Sequence, residues 1–297
     1  MTAVVSPGTE QVAAGHAARR SGRAVRLALR EPTAMAGALA LALVALTLLA
    51  APALHLPDPL ATDSSNNLAH FSWAHPLGTD GIGRDELSRI VWGGRESVAL
   101  ALAITAIATT IGLVVGVIAG YRGGLVDAAV MRVVDILQAV PLVIVTMVTV
   151  GLLGRGTVKL VVVLALLGWT GQARVVRATT LSVREREYVD AARAAGSSRA
   201  RILTRHVVPN VLGAVVVLAS LDVGRLLLAL STLSFLGLGA RPPQPEWGLM
   251  LADSRIYFNA APRLLIIPGV AIFIVALAAN LFGEGLRDAF EIRTRGL

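Results

Sequence analysis

The 297-residue chain has no cysteine, so disulfides and thiolate metal sites are excluded. It has one lysine, Lys159, among 27 basic residues. A phosphate-binding P-loop, GxxxxGK[ST], needs Gly before that lysine and Ser or Thr after it; Val158 and Leu160 stand there. The chain is therefore not expected to hold ATP in the usual way. Catalytic patterns are missing too. There is no GxSxG, no HExxH and no pair of carboxylates in one pocket-like segment. The histidines His16, His55, His70, His75 and His206 are scattered. His75 lies close to Asp80, but no second His sits at ligand spacing. Neither a catalytic residue nor a metal site is expected.

What is present is apolar. Hydrophobic residues make up 55% of the chain and the mean hydropathy is +0.70, which reads as an integral membrane protein. Six apolar segments run from Ala34 to Leu54, Val98 to Tyr121, Ala128 to Leu153, Val158 to Arg174, Val211 to Leu236 and Leu264 to Phe282. At about 1.5 Å per residue each reaches across a hydrocarbon core of about 30 Å, the fourth only barely.

The net charge of +8 fits nucleic acid, anionic lipid or the positive-inside rule. Its distribution decides. With the amino terminus inside, the inner segments 1–33, 121–126, 174–206 and 285–297 hold 17 Lys and Arg, and the outer segments hold 8. Both termini are thus expected in the cytoplasm. The arginines have no interleaved aromatics, so no nucleic-acid surface is expected. Residues 1–33 lack a cleavage site after a short apolar core and read as a cytoplasmic tail. Its Arg19, Arg20, Arg23, Arg26 and Arg30 are expected to touch anionic lipid headgroups.

One polar island stands out, residues 184–210, REREYVDAARAAGSSRARILTRHVVPN. Glu185 to Ala195 suits a helix. Gly196 supplies a stop, and Ser197 and Ser198 are N-cap choices for a second helix to about Val207. Pro209 is expected to end that block. The eight arginines from Arg174 to Arg205 keep this hairpin out of the bilayer.

The pattern Asp190-Ala191-Ala192, then Gly196, then Val208-Pro209 resembles the EAA loop of ABC importer permeases, with Asp190 where the family has Glu. A second stretch, HPLGTDGIGRD at His75 to Asp85, resembles the dipeptide, oligopeptide and nickel permease family, and the C-type member of its pair. LSFLGLG at Leu233 to Gly239 and NLFGEGLRD at Asn280 to Asp288 agree. The acidic residue common before LSFLGLG is missing, and Glu284 stands for a frequent Asp.

The resemblance implies an all-α, six-span permease fold with a cytoplasmic coupling hairpin at 184–209. Around it lie a tail at 1–33, a first span with external connector at 34–97, a core at 98–284 and a tail at 285–297. It implies a cell-membrane subunit that forms half of a pathway for di- and oligopeptides, with nickel or another small solute as the alternative. Its partners would be a homologous permease, one or two ABC ATPase subunits that bind ATP and magnesium, and an extracytoplasmic solute-binding protein. On the hairpin Glu187, Asp190, Ala191, Ala192, Gly196, Arg201 and Pro209 would meet the ATPase, and a bulky charged side chain at Gly196 would break the turn. His75, Gly78, Asp80, Gly83, Arg84 and Asp85 form the external motif, read either as a ligand element or as a turn-rich connector. Asp85 to Trp92 suits a short amphipathic helix.

Charged residues inside spans are costly. Arg132 and Asp135 are three apart, as are Asp222 and Arg225. Each pair either neutralises itself within its helix or lines a polar pathway. Gln138 and Pro141 point to a path-facing or kinked third span. An ion-coupled secondary transporter also explains the spans and charges, but not the pattern from Asp190 to Pro209.

Overall fold

The computed structural model describes residues 31–295, with side-chain surroundings to residue 289. The arginine cluster expected at the amino-terminal tail lies outside the described residues, as do the side chains of the last eight. Among the described residues all regular elements are helical.

Helix α1, Pro32–Ala50, opens with proline in its first turn, where the missing N–H has no intrahelical partner to lose. Helix α2, Glu86–Arg122, is 37 residues long, about 55 Å at 1.5 Å per residue and well beyond the hydrocarbon core. The short amphipathic helix expected from Asp85 to Trp92 is therefore not separate: it is the first turns of this span, which stands out of the membrane. Asp85 caps it, accepting the Ser88 N–H at 2.7 Å.

The third apolar segment is broken. Helix α3, Gly124–Gln138, and helix α4, Leu142–Leu153, meet at 82°. Pro141 is the cause. It cannot donate a backbone hydrogen bond, and it disfavours helical backbone at Val140 before it. The fourth segment is longer than expected: α5 runs over Thr157–Arg184, so the helix continues past Arg174, where the segment was expected to end, and carries Arg177 as well.

Two short helices follow, α6 at Glu187–Ala194 and α7 at Arg199–Ile202. A π-turn over Leu203–Val207 joins α7 directly to α8, Val208–Phe235. Pro209 thus does not end the block, as had been expected. It lies in the first turn of α8, and the wide π-turn accommodates the hydrogen bond it cannot make, so the helix runs unbroken into the fifth span. Helix α9, Trp247–Ser254, lies between spans, and α10, Arg263–Arg295, carries the sixth span on into the tail expected at 285–297.

Among the described residues five helical stretches are long and apolar enough to cross a membrane, and the bent α3–α4 pair makes a sixth if it is one span. The tightest packing is α2 on α5. Gly112, Gly116 and Gly120, one turn apart, present bare backbone to Gln172, Ala173, Val176 and Thr180. A Cβ at Gly116 would lie 2.6 Å from the Ala173 carbonyl oxygen and 2.7 Å from Val176. Small residues let membrane helices approach closely where no hydrophobic drive between helices exists. Deeper in, Ile104, Leu160, Leu164, Leu226, Leu230 and Leu233 form a buried cluster joining α2, α5 and α8.

Candidate functional site

Three polar regions stand on this frame, one at each membrane surface and one between. The first is the hairpin. Gly196 has φ +78°, the left-handed region that glycine enters without strain. The Gly196 N–H donates to the Arg193 carbonyl at 3.0 Å and the Ser197 N–H to the Ala192 carbonyl at 3.1 Å. Those two bonds are the Schellman stop of α6. Ser198 then caps α7 through the Arg201 N–H at 3.3 Å. The hairpin is anchored by Val189 and Ile202, both fully buried in a cluster with Val117, Val176, Val183, Val207 and Val211. Opposite that anchor Glu187, Asp190, Ala191, Arg201 and Pro209 are exposed, Ala192 is half-buried, and Asp190 accepts from Arg193 at 2.8 Å. Tyr188 and His206 bring their rings within 6.1 Å of each other across the hairpin. A Cβ at Gly196 would meet nothing within 4 Å. Size is therefore not the constraint at this turn; the backbone angle is what disfavours any other residue there.

The base of the hairpin is tied to the rest. Arg184 donates to the Gly120 and Tyr121 carbonyls at 3.0 and 3.3 Å, satisfying acceptors at the end of α2. Two turns up α5, Arg177 grips Asp127 of α3 through Nε and one terminal nitrogen.

The second region lies within the spans. Asp135 of α3 pairs with Arg174 of α5 at 2.5 Å, not with Arg132 of its own helix as the spacing had suggested. Asp222 does pair with Arg225 at 2.8 Å, and also accepts from Gln172 of α5 at 2.7 Å. A Cβ on Gly171 would lie 3.8 Å from Gln138 Nε2, so Gln138 sits against α5 beside this row. The result is a polar belt across α3, α5 and α8 at the 82° break. Its charges are not buried: Asp135 is 60% exposed, Arg174 50% and Arg225 53%. A charge facing lipid at this depth costs about 2.5–3.5 kcal/mol on insertion scales. This face is therefore one that protein or water covers. Sequence reading gave Arg174 and Gln172 no role, although the expected fourth segment reaches both; their partners Asp135 and Asp222 lie on other helices.

The third region lies at the opposite end of the spans from the hairpin, around residues 75–89. Asp80 accepts from the Ile82 and Arg84 backbone N–H groups at 3.0 Å each and from Arg84 Nε at 2.6 Å. His75 Nδ1 lies 2.9 Å from Asp85, not on Asp80, and the described residues hold no cluster able to bind a metal ion. Gly83 has φ +79°, and a Cβ there would strike the Asp63 carbonyl at 1.8 Å. One at Gly78 would lie 2.5 Å from the Ala69 carbonyl. Arg84 and Arg89 reach Asp253 of α9 at 3.8 and 4.0 Å, where burial pushes the Asp253 carboxyl above its usual range. Arg263, at the start of α10, donates to the Leu68 and Ala69 carbonyls at 2.9 Å each. The motif's side chains are thus spent on one another, which favours the connector reading over a ligand element.

Nearby, Glu246 caps α9, accepting the Gly248 and Leu249 N–H groups at 2.9 Å each. Burial raises its pKa against the pull of those bonds. Ser97 of α2 donates to it at 3.2 Å and accepts the Trp247 N–H at 3.0 Å. No sequence pattern pointed to Glu246, Arg89, Asp253 or Arg263.

Comparison with known proteins matches residues 112–296 to the family described as binding-protein-dependent transport system inner membrane component. The Nickel transport system permease protein NikC of Escherichia coli (strain K12) is 40% identical over 256 residues, covering 84% of this chain and 92% of that one. The Glutathione transport system permease protein GsiD of Pectobacterium atrosepticum is 40% identical over 220 residues, 74% and 73% of the two chains. The Dipeptide transport system permease protein DppC of Alkalihalophilus pseudofirmus is 38% identical over 241 residues, 81% and 79%. With broken and unbroken spans, a polar hairpin between two of them and a family match over more than half its length, the chain belongs to the binding-protein-dependent inner membrane components, as an ABC importer permease of the peptide and nickel group.

Proposed function

We propose that this chain is one of two homologous permease subunits of an ATP-driven importer whose solutes are peptides of two to several residues. The observation that carries the pairing is the exposed charge of Asp135, Arg174 and Arg225 within spans. A second permease helix face, with water between, is the cover that removes their cost. The hairpin at 184–209 is then the element that one ATPase subunit grips. Its buried anchor at Val189 and Ile202 suits it to carry force into α5 and α8. ATP and magnesium belong to the ATPase subunits, and this chain does no chemistry of its own. Both termini are cytoplasmic. An external binding protein delivers the solute, and rocking of the two permeases alternates access.

Peptide is the reading that the dipeptide and glutathione relatives support. Nickel is the second reading, favoured by the relative NikC, of which this chain covers 92%. Proteoliposomes holding the assembled importer and its binding protein test the two. ATP-dependent accumulation of a labelled dipeptide supports the proposal. Accumulation of nickel without dipeptide replaces it with the second reading. Accumulation without ATP, driven by an ion gradient, overturns both.

A further inference from the structure

We propose that Glu86 and Arg89 form a proton-operated switch at the end of the spans opposite the hairpin, which decides whether Arg89 stays with α9 or turns to its own helix. Both residues are 2% exposed, in the first turns of α2, which stand out of the membrane. They are three apart and so share one face of the helix. Each keeps an open atom: among the described residues Glu86 Oε1 has no donor and Arg89 Nη1 has no acceptor. A buried acceptor and a buried donor are costly when both stay open, and these two are complementary.

They stay apart because a junction between elements draws Arg89 away. Arg84 and Arg89 approach the same oxygen of Asp80, at 2.6 and 3.7 Å, and the same oxygen of Asp253, at 3.8 and 4.0 Å. Asp80 belongs to the turn before α2, and Asp253 to α9. The two arginines therefore stand between two carboxylates and hold α9 to α2. Their reach to Asp253 is longer than a hydrogen bond, so this link is electrostatic and yields to a closer partner.

Glu86 is that closer partner once it is ionised. With its proton it is neutral and leaves both arginines to Asp80 and Asp253. Without the proton, a buried carboxylate stands one turn from the open nitrogen of Arg89. Burial pushes the Glu86 carboxyl up to about 7, with Arg89 and Arg84 pulling against it and Asp80 and Asp85 adding to it. The other polar groups around the junction are engaged elsewhere. His75 lies on Asp85 at 2.9 Å, Asp63 on Ser65 and Asn66, and Arg263 of α10 on the Leu68 and Ala69 carbonyls, while Tyr257 rests against Gly81.

The raised value sets the sign. A carboxyl that the closed junction holds neutral favours that junction fully below its ordinary value of 4.5, and the advantage is lost as pH rises through about 7. Acid closes the junction, and neutral or alkaline conditions release it. On the reading above this is the end at which the binding protein delivers solute, so the outer pH sets how firmly α9 is held there.

Amide hydrogen exchange of α9 tests the switch on the complex purified in mild detergent. It needs no transport, so a chain recovered without an ATPase would sink the importer reading and still report on the switch. Glu86→Gln and Glu86→Leu cannot titrate. Each is compared with wild type at the same pH, which cancels the intrinsic pH dependence of exchange. The ratio of wild-type to variant rates across Trp247–Ser254 is expected to rise about tenfold or more between pH 4.5 and about 7 and to level off above, while the ratio for α6 stays constant. A constant ratio for α9 across that window, or an equal rise in α6, overturns the inference. So does failure of both variants to assemble, because a group that the fold holds neutral is replaceable by a neutral one.

Discussion

Gln172 on α5 donates its side-chain amide to Asp222 on α8 at 2.7 Å, and Asp222 in turn holds Arg225. Two spans are thereby locked together by a carboxylate that cannot be removed without leaving an arginine unpaired inside the membrane. Asp222→Ala is expected to cut ATP-driven uptake by about tenfold or more, because it leaves Arg225 without its partner within a span and the buried Gln172 amide without its acceptor. Asp222→Asn, which keeps an acceptor for Gln172, should lose less. Uptake and complex yield from membranes are the readouts, and unchanged values for Asp222→Ala remove the belt from the pathway.

Helix α2 approaches α5 through bare backbone. Gly116→Leu places a side chain where even a Cβ has 2.6 Å to the Ala173 carbonyl. Overpacking of this kind costs about 1–3 kcal/mol or more. The melting temperature in mild detergent is expected to fall by several degrees, while Gly151→Ala, with nothing within 4 Å of its Cβ, stays near wild type.

In the hairpin, Gly196→Val forces a β-branched residue to φ near +78°. The local strain is about 1–2 kcal/mol, small against insertion but large for a turn that must hold its angle. The variant is expected to insert normally and to assemble with reduced uptake per ATP hydrolysed. Ser198→Ala, which removes the α7 cap, should weaken coupling in the same direction by less, at about 1 kcal/mol. Parallel assays of ATP hydrolysis and uptake check both.

Glu246 gives a pH dependence with a definite sign. Burial raises its pKa from the ordinary value of 4.5, so the folded chain holds the proton more tightly than the unfolded one. Its stabilising contribution is fully present below that ordinary value and is lost as pH rises through the raised folded value. Glu246→Gln cannot titrate. Wild type and variant should therefore diverge as pH rises through that window, with the variant's melting temperature the less pH-sensitive. Parallel curves at all pH values show that Glu246 keeps its ordinary proton affinity.

How far these features could be read from the chain depended on range. The apolar runs, the stop at Gly196 and the cap at Ser198 are local, and backbone chemistry within a few residues determines them. The bend at Pro141 was legible for the same reason. The fourth span was misjudged because Arg174 and Arg177 looked like loop charges; their partners Asp135 and Asp127 lie on another helix, about 40 and 50 residues away. Arg132 and Asp135 looked paired by spacing, but the competing arginine arrives from α5. Glu246 and Arg263 carry no local pattern. Their roles arise where loops distant in sequence meet, at Ser97 and at residues 68 and 69.

The most direct test is extraction of this chain from its native membrane in mild detergent, with identification of what comes with it. Recovery of one homologous permease, one or two P-loop ATPase subunits and a solute-binding protein carrying peptide is the expected result. Recovery of the chain alone or as a homo-oligomer, with uptake intact when every ATPase partner is absent, contradicts it and leaves the hairpin at 184–209 without a coupling role.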